Sequence, residues 1–297
     1  MVRRNAVSAA SALTAVGLVA CLSSCTIGPS ADSEPEERLP QPTLQAPTET
    51  SPQPEPPEDA APQPSAELQT ALDAAVNEVV QAYGGVVEVA IVGTSGEYSA
   101  GDASGFASWS TIKVPIAIAA LNTNPGLAGQ AAMAIQSSDN AAAMTLWQST
   151  TPEAVEAVLA QGGVPIAVQS QYVRPEFSPF GQTQWTVTEQ ARFASHLRCV
   201  GGSSPIVELM GAITPAQSYG LGTLPAARFK GGWGPSATNG GYEVRQFGLV
   251  QDDAGRDVAL ALAVRSGDGS YQSGQAMASE LAALIRPALH TAPESHC

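Results

Sequence analysis

Strand-forming sequence stands at the two ends of the foldable part of this chain, and nearly everything between is helical in character. Val86 to Val92 is an almost unbroken apolar, β-branched run, followed by Gly93-Thr94-Ser95-Gly96 and a short return over Glu97 to Ala100. That reads as a buried strand, a tight turn and a returning strand. Strands resume only at Ala226 to Lys230, then at Tyr242 to Val250 and Asp257 to Val264, the last two joined as a hairpin by the turn residues 251–256. Helices flank both sets. Leu68, Leu72, Val76, Val79, Val80 and Tyr83 recur at spacings of three and four before Gly84-Gly85, and Ser273 to Leu289 carries Met277, Leu281, Leu284 and Ile285 on one face. The expected architecture is α/β: an antiparallel sheet flanked by terminal helices, with a shortened all-helical lobe inserted over about 106–187.

Within the middle stretch, Thr111 to Leu121 is apolar and alanine-rich. Pro152 to Ala160 begins with Thr151 as cap and proline at the first helical position, and stops at Gly162-Gly163. Thr188 is expected to cap a further helix to Cys199, closed by Gly201-Gly202, after an irregular segment, 169–184, containing Pro175 and Pro179.

The N-terminus sets the compartment. Arg3 and Arg4 precede the uncharged run Ala6 to Leu22, and Leu22-Ser23-Ser24-Cys25 follows. Small residues before a cysteine end a bacterial lipoprotein signal, so 1–24 is expected to be removed and Cys25 to carry lipid. A single membrane-spanning anchor is the rival, but the run is short and weakly apolar for it. Thr26 to Ser65 holds eleven of the 23 prolines among acidic and small polar residues, which predicts an extended, disordered stalk over 25–65. The domain proper is 66–297, worked from the extracytoplasmic face of a membrane and taken as a monomer. A net charge of −14 without a basic stripe excludes nucleic acid as a partner. Cys199 and Cys297 are left as a pair in an oxidising compartment, so a disulfide between them is expected. The histidines are scattered and no Cys/His cluster has ligand spacing, so neither metal nor other cofactor is expected.

Eleven arginines serve this chain against two lysines, Lys113 and Lys230. A buried lysine can lose its proton near neutral pH, which arginine cannot. Lys113 sits in Ser110-Thr111-Ile112-Lys113 at the start of an apolar helix, three residues from a hydroxyl on the same face. A desolvated amine there can accept the serine proton, and the helix N-terminus offers free amides for an oxyanion. Ser138-Asp139-Asn140 falls at a break within the helical block, and Lys230-Gly231-Gly232 ends the first strand of the C-terminal set. Each triplet alone is uninformative, since Ser, Asp and Asn are also ordinary helix caps. Their order, their positions and their use of both lysines are not.

The set resembles the Ser-x-x-Lys, Ser-Asp-Asn and Lys-Thr-Gly motifs of class A β-lactamases and penicillin-binding proteins, and the element order is similar across 66–290. The resemblance implies that Ser110 is the acylated nucleophile, Lys113 its base and Ser138 a proton relay to the leaving nitrogen. It implies that Asn140 holds the substrate amide, that Lys230, with Gly231 and Gly232, meets the substrate carboxylate region, and that the Ser110 amide helps form an oxyanion hole. Arg245, on the next strand, either serves that carboxylate or is an exposed strand charge. The departures are specific. Gly231 replaces the motif hydroxyl, with Thr238 and Thr223 as the candidates to compensate. The loop before Thr188 lacks a Glu-x-x-Leu-Asn pattern, leaving Glu176 as its one acid available to position a deacylating water.

Two functions follow. In the first, this is a serine acyl-enzyme acting on cell-wall peptide or β-lactam, slow to deacylate. In the second, it is a weakly active or inactive lipoprotein of the same fold, similar to the alanine-rich LppW-type lipoproteins of actinobacteria, that binds a cell-envelope ligand or partner. A two-lobed solute-binding protein fits the anchor and stalk but not the chain order.

Overall fold

The computed structural model describes residues 64–237 and 240–297; the leader, Cys25 and nearly all of the stalk expected over 25–65 lie outside them, as does Thr238. Helix α1 (Pro64–Tyr83) leads into β1 (Val86–Gly93) and β2 (Gly96–Gly101). The helical block follows as α2 (Lys113–Thr123), α3 (Ala128–Gln136), α4 (Asn140–Gln148), α5 (Pro152–Gln161), α6 (Val187–His196) and α7 (Ser204–Met210). Then come β3 (Arg228–Pro235), β4 (Tyr242–Gln251), β5 (Asp257–Arg265) and α8 (Tyr271–Ile285). Among the described residues no helix is long and apolar enough to cross a membrane.

The strands form one five-stranded sheet in the order β2-β1-β5-β4-β3, with every neighbouring pair antiparallel. The first and last thirds of the chain meet at its centre, where Val86 to Val92 pair with Arg265 to Ala259. This is the α/β architecture expected.

Strand β5 explains how both faces are covered. Val258, Leu260, Leu262 and Val264 point one way and pack with Leu68, Leu72 and Val79 of α1 and with Leu281 and Ile285 of α8. Ala259, Ala261 and Ala263 point the other way. Their small side chains let α6 lie close against the sheet, where Phe193 joins Trp185 and Phe247 in one aromatic cluster.

Three boundaries differ from expectation. Strand β3 does not stop at Lys230 but runs on to Pro235, so Lys230-Gly231-Gly232 lies mid-strand. Glycine's poor strand propensity suggests a break, but here close backbone packing demands it. Helix α6 is capped by Thr186 rather than Thr188, through a capping box with Glu189. Short α7 packs on α2 and α3, carrying the lobe past residue 187, whereas α6 belongs to the sheet layer. Cys199 and Cys297 are joined, their Cα atoms 5.7 Å apart.

Candidate active site

A strained turn presents Ser110. The 3-10 turn Trp109–Ile112 runs directly into α2, whose first residue is Lys113. Trp109 has φ 48°, a left-handed conformation that costs a residue with a side chain about 1–3 kcal/mol. Neighbours hold it. The Trp109 indole N–H donates to the Glu243 carboxylate at 2.9 Å, the Ser108 amide to Thr183 O at 2.9 Å, and the Gln190 side-chain amide to Thr111 Oγ1 at 2.7 Å. Ser110 is half-buried, and its hydroxyl has no hydrogen-bond partner among the described residues.

Both lysines converge on Ser138. Lys113 is buried, and its Nζ donates to Ser138 O at 2.6 Å, to Asn140 Oδ1 at 2.7 Å and, more weakly, to Ser138 Oγ and Asp139 O at 3.4 Å. Burial lowers its pKa from the usual 10.5 to about 7, against the opposing pull of Asp139. Lys230, fully buried, donates to Ser138 Oγ at 3.0 Å and to Gly231 O at 2.7 Å. Its own pKa is pushed well down, first by burial and then by the charge of Lys113. One hydroxyl thus lies between two amines whose charged forms burial disfavours.

The Ser-Asp-Asn triplet divides its labour. Asp139 is the cap of α4, accepting from Ala142 N at 2.7 Å. Ser138, at φ 59°, turns the chain so that its carbonyl and hydroxyl both face Lys113, and Asn140 opens the helix with its carbonyl oxygen on the same amine. The helix-cap reading therefore holds for one residue and frees the other two.

Strand β3 closes the site from the sheet side. A methyl group on Gly232 would stand 2.7 Å from the Ser110 amide nitrogen and 3.0 Å from Ser108 O and Thr111 N, and one on Gly234 would overlap the Trp109 ring. Glycine is required at both, because two backbones and an indole pass at contact distance. Gly231 faces the other way, where the nearest atom to an added methyl is Gln246 Cγ at 3.8 Å. Strand β3 is also the sheet edge. Its even-numbered residues turn their amides to β4, as Ser236 N does to Gly241 O. Its odd-numbered residues therefore aim outward, and Pro235 O takes Arg174 Nη1 at 2.8 Å while Gly231 O takes Lys230. The Trp233 N–H points off that edge, and Trp233 and Ser110 line the same cleft. The Ser110 amide lies in the first turn of its helix, where amides lack internal partners. Two amide donors face the cleft, and sequence reasoning found only the first.

The cleft holds about 490 Å³ and is walled by Ser110, Lys113 and Asn140, by aromatic side chains and by Glu176. Two expected site residues behave differently from expectation. Arg245 is neither exposed nor turned to the cleft. It is fully buried and donates to Gln190 Oε1 at 3.2 Å, Phe106 O at 3.1 Å, Ala107 O at 2.9 Å and Trp185 O at 2.7 Å. It braces the turn that carries Ser110, because its position on β4 faces the α6 layer. Glu176 reaches the rim but is exposed and ion-paired with Arg174 Nε at 3.3 Å, making no hydrogen bond to Ser110 or Lys113. Thr223 donates to Gly220 O and does not line the cleft, so it does not replace the hydroxyl missing at Gly231.

No protein-family profile matches the sequence, and no curated protein sequence matches it. Solved structures do. A class A β-lactamase from Bacteroides cellulosilyticus DSM 14838 is similar at TM-score 0.59 with 13% identity, over 78% of this chain and 100% of that one. One from Mycobacterium abscessus aligns at 0.56 and 16%, over 74% and 98%. A β-lactamase from Streptosporangium roseum aligns at 0.57 and 16%, over 75% and 99%. The chain has a β-lactamase-like fold. Identities this low establish the architecture and leave the chemistry to be argued from the site.

Proposed function

We propose that the protein is a serine acyl-transfer enzyme that forms a covalent intermediate on Ser110. The observation that carries this is Lys113, a buried amine at about 7, one helical turn from an unbonded serine hydroxyl and 2.7 Å from Asn140. In its neutral form the amine takes the Ser110 proton as Oγ bonds to the substrate carbonyl carbon. The Ser110 and Trp233 amides receive the negative charge on the carbonyl oxygen. As the carbon–nitrogen or carbon–oxygen bond breaks, the proton returns through Ser138 to the leaving atom, and Lys230 holds Ser138 in place.

Deacylation needs water with a base beside it, and Glu176 is committed to Arg174 at the solvent edge. The acyl-enzyme is therefore long-lived. Cell-wall peptide and β-lactams are the substrate types that the motifs suggest, and the signal-like run ending at Cys25 supports an enzyme tethered by lipid at the extracytoplasmic membrane face, similar to LppW-type lipoproteins. The second reading is a binding lipoprotein with a silent site. It is favoured by Lys113 bonding Ser138 and Asn140 rather than Ser110.

Intact-mass measurement after exposure to several penicillins and an activated ester, with Ser110→Ala alongside, decides between them. A persistent adduct that the variant lacks supports the enzyme. A folded protein that none of these reagents modifies leaves the binding lipoprotein.

A further inference from the structure

We propose that the cleft is selective for uncharged acyl donors bearing an aryl or other apolar group, and disfavours donors that carry a carboxylate next to the scissile bond. The inference rests on the acyl-enzyme reading above and narrows the substrate types that the motifs suggest, setting aside cell-wall peptides and β-lactams with a free carboxylate beside the scissile bond.

A carboxylate drawn into a partly desolvated cleft needs a counter-charge, since lost hydration is otherwise unreplaced. No cation among the described residues is available to supply it. Lys113 faces the cleft, but its donors go to Ser138 and Asn140. Lys230 is fully buried and does not line the cleft. Arg245 spends its guanidinium on three backbone carbonyls and Gln190. Arg174 is paired with Glu176, bound to Pro235 O and stacked 4.4 Å over the Phe177 ring, outside the cleft wall. Arg192, Arg198 and Arg256 pair with Glu97, Asp257 and Asp252, and none of the remaining described arginines lines the cleft. Thr238 and Asn239, in the connection from β3 to β4, carry no charge.

The wall carries six aromatic rings and one acidic group, beside the polar side chains of Ser110, Asn140 and Ser178. Trp109, Tyr172, Phe177, Phe180, Trp233 and Tyr242 line it, with Glu176 as its only carboxylate. Tyr172 and Tyr242 remain 59% and 41% exposed, large rings left open at the mouth. Such rings offer stacking surface to an aryl group, and 490 Å³ accommodates a small-molecule donor. Gly231 stands where the resemblance puts a hydroxyl against the carboxylate, so β3 offers no side-chain donor at that position.

The test uses the full-length protein and a matched pair, benzylpenicillin and its methyl ester, with 4-nitrophenyl phenylacetate as a third reagent. Second-order rates of Ser110 adduct formation are measured by intact mass and divided by each reagent's rate with hydroxylamine. The expected result is a corrected rate at least about tenfold higher for the methyl ester than for the acid. An acid that reacts as fast as its ester, or faster, overturns the selectivity while leaving the acyl-enzyme intact. No Ser110 adduct from any of the three overturns both.

Discussion

Lys113 and Lys230 share a hydroxyl because each is buried and each needs an acceptor. Lys113 costs the fold something, since a lysine with its pKa at about 7 binds fewer protons when folded than when unfolded up to the ordinary 10.5. Its penalty on stability is therefore full below about pH 7 and fades as pH rises toward 10.5. Lys113→Met is expected to raise the melting temperature at pH 6 more than at pH 9, while lowering Ser110 acylation by about 10²–10⁴-fold. Thermal melts at the two pH values, set beside adduct formation, check both halves; a variant less stable at pH 6 contradicts the first. Ser110, Lys113, Ser138 and Lys230 were legible because lysine is so scarce here that its two positions stand out. Arg245 was not, because a strand residue's letter does not say which face is covered, and α6 covers that one. Nor was the Trp233 amide, since a main-chain donor carries no side-chain signature and becomes visible only when β3 proves to be an edge.

The glycines of β3 show what an element contributes. Gly232 and Gly231 are adjacent, yet one meets the Ser110 backbone at 2.7 Å and the other has nothing nearer than 3.8 Å. Gly232→Ala is expected to destabilise the protein by about 1–3 kcal/mol and to abolish acylation by displacing the turn. Gly231→Thr is expected to cost less than Gly232→Ala, because an added Cβ there meets only ordinary van der Waals contact. Denaturant melts of the pair are the check, and equal costs would contradict the register assigned to β3. The sequence placed this strand but ended it at Lys230, because two glycines look like a break until the turn packed on them is known. Helix α5, by contrast, was legible to its cap: Thr151 accepts from Ala154 N, as its position before Pro152 suggested.

At the scale of the whole molecule, the sheet closes only when β1 meets β5, and the segment after α8 secures that closure. Glu294 O accepts from Thr94 N at 2.9 Å, Ser295 N donates to Asp257 O at 3.0 Å, and Cys297 is joined to Cys199 across 98 residues. Disulfides typically contribute about 2–4 kcal/mol, so Cys297→Ser is expected to lower the denaturation midpoint by that equivalent. Helix α6, which ends just before Cys199, also carries Gln190 against Thr111 beside the nucleophile. Loss of the disulfide should therefore loosen the active-site turn as well as the tail, read as faster amide exchange over 108–112. Unchanged exchange there would confine the disulfide's effect to the tail. An antiparallel sheet flanked by terminal helices was legible from element order, whereas the pairing of β1 with β5 and the support that α6 gives the turn depend on contacts between segments some 80 residues or more apart.

Acylation of Ser110 with Lys113 as its base is the central step, and its pH dependence tests that assignment most directly. Adduct formation with 4-nitrophenyl phenylacetate, followed between about pH 5 and 9, is expected to rise through a midpoint near 7 to a plateau, and Ser110→Ala is expected to form none. In Lys113→Met the rise should vanish. A rate that is flat across that range in the unaltered protein, or an adduct on another residue, would contradict the assignment of both groups.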